Sequence, residues 1–360
     1  MSKHIFAFLL WGILPLSAQS YSRNAATCDQ CHSVPTKFGS SRLTVQRIGS
    51  PVNGKFVPGG EGGILHRTRT SSTGSALPNQ MLGDRVTINL LGDGYIEALD
   101  GNDIRRNAEK QREEATGISG VVVTAPALES KSRVGREVGR FGWKAQHSSL
   151  LSASADSMRN ELGIRNQLYR NEYPGRDAQV SQAPFDKADG RTGRTELAKL
   201  VEEIRRTAPP ERDEEVMASP EVQEGENLFT KVGCSICHIP TYRTLPPRTF
   251  VNGGTYRIPS SLGNKVIHPY SDFLLHNVGS GDGIPQAAKP EYLDQSTADK
   301  FRTAPLWGLR FRSWMMHDGR SVTYHQAIMR HGGEATKVRE RYEALPPVQK
   351  QQLRAFLNSL

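Results

Sequence analysis

The sequence predicts a mainly α protein of two small domains with long irregular loops, and three observations predict it. Cys28-Asp-Gln-Cys31-His32 and Cys234-Ser-Ile-Cys237-His238 place one C-x-x-C-H run in each half of a 360-residue chain, which is long enough for two domains. Amphipathic helices flank the second run. The 34 Gly and 21 Pro, with a hydrophobic content of only 36%, leave much of the remainder to loops.

The C-x-x-C-H spacing is the attachment signature of a c-type haem: two thiols add to the porphyrin vinyl groups and the following His is set beneath the iron. The chain has 4 Cys, and the two runs use all of them. A zinc ribbon does not need a His beside each Cys pair, and a redox dithiol calls for one pair near a βαβ pattern rather than two pairs in a loop-rich chain. The expectation is two covalently bound haem c groups held by Cys28, Cys31, Cys234 and Cys237, with His32 and His238 as iron ligands. Two macrocycles would supply the apolar surface that a chain of mean hydropathy −0.52 lacks.

Taken in order, residues 1–20 read as a secretory signal: Lys3 and His4, an apolar run from Ile5 to Leu16, then small residues at Ser17, Ala18 and Ser20. The run is too short to span a bilayer, so export to the periplasm with no lasting membrane span is expected, a compartment that suits thioether attachment. The N-terminal haem domain is assigned to 21–210. Gly39 to Leu82, rich in Gly, Ser, Thr and Pro, reads as irregular coil, and its Gly59-Gly60-Glu61-Gly62-Gly63 cluster lacks the Lys-Ser/Thr ending of a phosphate loop. His66 in that stretch is a candidate sixth ligand for the first iron, or a surface residue. Leu91, Tyr95 and Leu99, four apart, predict a short helix with Glu97 off its stripe. The polar run from about Arg176 to Val216, broken by Pro209-Pro210, reads as the linker.

The C-terminal domain, 211–360, opens with Ser219 as N-cap and Pro220 at the first helical position, followed by Glu221. Val222, Gly225, Leu228, Phe229 and Val232 keep helical spacing into Cys234, with Gly225 and Phe229 offering a small and a large residue to a crossing helix. Val348, Leu353, Phe356, Leu357 and Leu360 mark a closing helix after Pro346-Pro347. Helix, haem run, loops, helix is the plan of a small cytochrome c-like domain. A second ligand opposite His238 is expected downstream, and His331 is preferred over Met315, Met316, His317 and Met329. Asp272, Asp282 and Asp294 are weak candidates for a calcium site, without regular ligand spacing.

The formal charge of +9 reads first as a solvated basic surface, and such a surface could also steer an acidic redox partner such as a small cytochrome or cupredoxin. No Lys/Arg stripe with interleaved aromatics points to nucleic acid.

Four blocks carry a family resemblance. Arg302-Thr303-Ala304-Pro305-Leu306-Trp307 with His317-Asp318-Gly319 is similar to the block that precedes the axial-ligand helix of bacterial di-haem cytochrome c peroxidases. Ile96-Glu97-Ala98, Gly139-Arg140-Phe141-Gly142-Trp143-Lys144-Ala145-Gln146 and Tyr270-Ser271-Asp272-Phe273-Leu274-Leu275-His276 resemble blocks of a branch known as di-haem oxidoreductases. The resemblance implies that the N-terminal haem performs the oxygen chemistry, with peroxide as substrate, and that the C-terminal haem passes electrons. It also implies Glu97 as the acid/base that moves a proton between the two peroxide oxygens, and Trp143 as a relay or a packing residue. The position usually held by methionine in the peroxidases matches His331 here. Imidazole in place of thioether predicts a bis-His haem of lower potential.

Overall fold

The computed structural model describes residues 27–41, 43–58, 64–65, 80–130, 135–170 and 185–360. The signal segment 1–20, the Gly59 to Gly63 cluster and His66 lie outside the described residues. Helix accounts for 35% and strand for 16% of the chain, so the mainly α expectation is corrected to a mixed architecture.

The difference lies in the stretch read as coil. β1 (Thr44–Val52) turns through Asn53-Gly54, both at positive φ, into β2 (Lys55–Pro58), the Asn-Gly turn that matches the twist of a tight hairpin. β1 also pairs antiparallel with β3 (Ile64–Leu65) and with β4 (Met81–Val86), Thr44 lying opposite Val86 and Gly49 opposite Met81. Val45, Arg47 and Arg85 of this sheet look into a cavity rather than an apolar core. Their inward face therefore carries no hydrophobic alternation for the sequence to display.

Three helices follow the sheet. α1 (Asp93–Glu97) is short, as expected, and α2 (Gly101–Glu113) is capped by the Asp100 carboxylate, which accepts from Asn102 N. β5 (Thr124–Pro126) and β6 (Arg136–Val138) form a small antiparallel pair. α3 (Leu150–Leu162) begins at Ser149, whose side chain accepts from Ser152 N, and ends at Gly163 with φ +67. The predicted linker contains α4 (Glu196–Arg205), whose Leu197, Val201 and Ile204 are buried at i, i+4 and i+7. They join Phe38, Ile96, Leu99, Ile104 and Leu150 in one core, to which Phe273, Leu274 and Trp307 also contribute from the second half of the chain.

In the second half, α5 (Glu214–Ala218) leads into α6 (Pro220–Val232), which starts at the Ser219 cap and Pro220 as the sequence indicates. α7 (Tyr324–Met329) and α8 (Thr336–Glu343) precede α9 (Pro347–Ser359). α6 crosses α9 at Gly225, where a Cβ would lie 2.1 Å from Gln352 O, and the Phe229 and Phe356 rings stand 5.2 Å apart beside it. Only glycine permits that approach. From Tyr242 to Thr323 the chain is mostly irregular, with two-residue ladders and single 3₁₀ turns. No described helix is long and apolar enough to cross a membrane.

Candidate functional site

Both C-x-x-C-H runs fold into the same local shape. Each forms a 3₁₀ turn, with His32 N donating to Cys28 O at 2.9 Å and His238 N donating to Cys234 O at 3.0 Å. Each imidazole then places Nδ1 3.0 Å from a backbone carbonyl, Gly39 O for His32 and Tyr270 O for His238. A carbonyl can only accept, so Nδ1 carries the proton and Nε2 keeps its lone pair. Burial pulls both imidazoles down to about 4, which leaves them neutral at pH 7. None of the four cysteines forms a disulfide, and burial pushes the Cys31 thiol up to about 11 and the Cys234 thiol up to about 12. Thiols held in the protonated form are poor redox nucleophiles.

Each run opens onto a large cavity. The C-terminal one is lined by Cys234, Cys237 and His238 and by side chains of α6, α7, α8 and α9. His331, just beyond α7, also lines it, with Nδ1 2.7 Å from Ala327 O. His331 thus repeats the tautomer of His238, and burial lowers its pKa too. Of its rivals, Met315, Met316 and His317 line the cavity as well. The His317 ring is stacked on Phe301 at 3.5 Å, with Nε2 2.8 Å from Ser280 O. Met329 is absent from the lining and packs on the apolar core of this half.

The N-terminal cavity is bounded by the sheet, α1, α3 and α4. Cys28, Cys31 and His32 line it, but among the described residues no second imidazole there has a nitrogen to spare. His147 has Nδ1 2.9 Å from Ser152 Oγ and Nε2 3.5 Å from Asp156 Oδ2. Met158 of α3 brings a thioether to the lining. Three acidic side chains also reach it: Asp93, Asp156 and Glu161. Burial raises the Asp93 carboxyl well above its ordinary value despite the nearby Arg302 charge, whereas His147 and Arg159 hold Asp156 below its own. Glu161 lies close enough to Cys31 to raise that thiol.

Trp143 and Arg302 line both cavities. The indole donates to Val86 O at 2.7 Å and meets the His317 ring edge-on at 6.4 Å. Arg302 N donates to Trp143 O at 2.8 Å, and its Nε donates to Gly142 O at 2.8 Å. The next residue, Lys144, is 1% exposed, and its ammonium donates to the carbonyls of Thr297, Ala298 and Lys300 while lying 3.7 Å from the Phe301 ring centroid. Burial draws that amine down to about 6, but the three carbonyls match three ammonium protons. Gly142 sits at φ +80 and Ala145 at φ +50, so the glycine-punctuated stretch is a tight turn that wedges Trp143 between the cavities.

The cavities fit the group that the motifs imply. Among the described residues, nine buried side-chain N or O atoms lack a hydrogen-bond partner, and five of them belong to side chains lining the C-terminal cavity: Ser280 Oγ, Arg302 Nη1, Arg312 Nε, His317 Nδ1 and Arg339 Nε. Arg47 Nε, on the N-terminal cavity, is a sixth. Buried guanidinium donors without acceptors cost about 1–3 kcal/mol each. A haem brings carboxylates that guanidinium groups bind well.

Glu97 is placed elsewhere. Its carboxylate accepts from Arg205 Nε at 2.6 Å and Nη2 at 3.0 Å, from Asn252 Nδ2 at 2.8 Å and from Leu150 N at 2.9 Å. It is 1% exposed and does not line the N-terminal cavity. Four donors occupy its lone pairs, so Glu97 ties α1 to α4 and to the start of α3 and has no free oxygen to offer peroxide. The three aspartates considered for calcium also serve separate ends. Asp272 binds His276 and Gln111, Asp282 pairs with Arg85, and Asp294 caps a 3₁₀ turn at Ser296. Among the described residues, the one cluster of metal-ligating type is Cys237, Asp272 and His276. The cavity-lining Asp93, Glu161 and Arg302 were not singled out from the sequence as site residues, since their spacing signals nothing until the fold gathers them.

The family profile described as "Di-haem oxidoreductase, putative peroxidase" matches residues 67–360, so it begins after the first C-x-x-C-H run. No characterised protein matches at the level of sequence. Among solved structures, hydrazine synthase of Kuenenia stuttgartiensis is similar over 93% of this chain and 81% of its own, at 13% identity and a TM-score of 0.40. A MauG-like protein associated with microbial copper homeostasis is similar over 46% of this chain and 52% of its own, at 19% identity and a TM-score of 0.29. Both likenesses are loose and transfer no property to this chain.

Proposed function

The chain belongs to the di-haem oxidoreductase family, and from that premise we propose an exported, periplasmic c-type enzyme that reacts with peroxide at its N-terminal cavity and passes or stores electrons at its C-terminal one. The observation that carries this reading is the asymmetry of the two cavities. His238 and His331 both offer an imidazole with Nδ1 tied to a carbonyl, whereas His32 is the imidazole so prepared in the described lining of the other cavity. Bound haem supplies an iron that exchanges electrons and accepts an oxygen ligand.

The protein's own residues then divide the work. Cys28 and Cys31, and Cys234 and Cys237, would anchor the two groups, and His32 and His238 would each offer Nε2 to an iron. His331 would hold the C-terminal group together with His238, and two imidazoles would set a lower potential than His and Met. Buried guanidinium groups with an unpartnered nitrogen, Arg302 between the cavities and Arg312 in the C-terminal one, would bind the haem carboxylates. Proton movement at the N-terminal cavity falls to carboxyls that line it. Asp93 is biased by burial toward its protonated form and Glu161 lies near the attachment turn, and general acid–base catalysis of this kind contributes about 10²–10⁴-fold. Trp143 is the relay between the two sites, since among the described residues it is the aromatic that lines both cavities beside Arg302. A small acidic redox protein supplies electrons to the basic surface.

A second reading, a di-haem electron carrier, is favoured by one observation: the Met158 thioether borders the N-terminal cavity. Anaerobic redox titration with EPR on the haem-loaded protein separates the two. The enzyme shows one high-spin signal that responds to cyanide or peroxide beside one unreactive low-spin signal. Two unreactive low-spin centres would establish the carrier and remove the peroxidase reading.

A further inference from the structure

A buried polar chain connects the turn that carries His238 to the loop that carries His331. It begins at Ile236 O, between the two attachment cysteines, which accepts from Gln111 Nε2 at 2.9 Å. The same Nε2 donates to Asp272 Oδ2 at 2.8 Å, while Gln111 Oε1 accepts from Gly120 N at 2.8 Å. Asp272 Oδ2 lies 2.8 Å from His276 Nε2, and the other ring nitrogen lies 2.9 Å from Glu334 Oε2. Glu334 Oε2 also accepts from Ser119 N at 3.0 Å, and Oε1 accepts from Asn277 N at 2.9 Å.

Glu334 stands three residues beyond His331. The loop between them is locked by backbone bonds, Gly332 N to Val278 O at 2.8 Å and Glu334 N to Asn277 O at 2.9 Å, and by Gly333 at φ +54. A Cβ on Gly333 would lie 2.2 Å from Asn277 O. The Asp272 side chain is 0% and that of His276 2% exposed. A neutral imidazole has one N–H, so facing a carboxylate oxygen at both nitrogens requires the doubly protonated ring. Those two occupied nitrogens also argue against reading Cys237, Asp272 and His276 as a metal site, although their ligand atoms lie within 4.8 Å of one another. Removing one partner from such a buried charged network leaves an uncompensated charge, which the local structure relieves by moving.

We propose that Glu334 and His276 are positioning residues that hold the His331 loop in register with the Cys234–His238 turn, so that the C-terminal haem keeps both imidazoles and stays closed to external ligands. The proposal rests on the reading of His331 as second ligand, and the test separates the two. In holoprotein, His331→Ala should convert the C-terminal low-spin EPR signal to high spin and open the reduced centre to carbon monoxide. If it does not, the ligand reading fails. With that conversion established, Glu334→Gln and His276→Gln should each give a mixed-spin C-terminal centre whose carbon monoxide binding exceeds wild type by at least about tenfold, the scale on which outer-shell partners act. Wild-type low-spin signal, potential and closure to carbon monoxide in both variants, with His331→Ala converted, would overturn the positioning role. Should Glu334→Gln fail to load haem, His276→Gln decides alone, because it leaves the Glu334 bonds to Ser119 N and Asn277 N in place.

Discussion

The two cavities start from one motif and end as different environments. The C-terminal cavity is walled by helices, faced by two imidazoles of matching tautomer, and tied across by the polar chain through Asp272, His276 and Glu334. The N-terminal cavity is roofed by a sheet and lined by Asp93, Asp156 and Glu161, and its other histidine, His147, is engaged at both nitrogens. The motif fixes attachment and one ligand. What faces that imidazole differs: His331, 93 residues along the chain from His238, in one case, and carboxyls that lie between 61 (Asp93) and 129 (Glu161) residues along from His32 in the other.

Removing one half of the comparison has the largest expected effect. Cys28→Ala with Cys31→Ala should halve the haem content in a pyridine haemochrome assay and abolish the cyanide-sensitive signal, leaving the low-spin spectrum of the C-terminal centre. The reverse pattern would exchange the roles assigned to the two cavities. Next, Glu161→Gln in fully loaded protein should lower peroxide turnover by about 10²-fold or more with the C-terminal EPR signal unchanged. Turnover within a factor of two of wild type would take Glu161 out of the proton path.

Glu97→Gln is expected to act on stability instead. The side chain of Glu97 is fully buried and that of Arg205 is 18% exposed, and breaking a buried pair by removing one charge costs about 3–5 kcal/mol. Denaturant midpoint should fall while peroxide turnover per loaded haem stays within a few-fold; a turnover collapse in folded, loaded protein would restore Glu97 to the chemistry.

The smallest effect is a pH dependence at Asp93. Burial raises its folded pKa above that of the unfolded carboxyl, so ionisation penalises the fold. The penalty is absent below about pH 4, where the unfolded carboxyl is itself protonated, and grows as pH rises through the folded value. Asp93→Asn should therefore melt higher than wild type at pH 7–8 and converge with it near pH 4. A margin that is constant with pH would show that the gain has another source. Stability gained together with turnover lost would mark Asp93 as a residue kept for function.

Legibility in the sequence followed physical cause. Ser219, Pro220 and the Val222 to Val232 spacing gave away α6 because capping and amphipathic burial are local signals, and Gly225 announced the close approach of α9. The sheet was hidden because its inward residues, Val45, Arg47 and Arg85, face a cavity, and because β1 finds its partner β4 about thirty residues on. The Asn53-Gly54 turn was its one local signal. α4 was masked by its charge density, although Leu197, Val201 and Ile204 keep the helical period. Glu97 was placed correctly on a short helix, but the period of so short a helix does not tell which cavity or core a polar side chain enters.

Trp143 and Arg302 form a party wall. A wall shared by two chambers couples them: Arg302, whose Nη1 is left without a partner, holds the turn that carries the indole through its bonds to Gly142 O and Trp143 O. A chain carrying a single haem should then be held in a half-finished state, softer in the filled half than the complete protein and a better target for proteolysis.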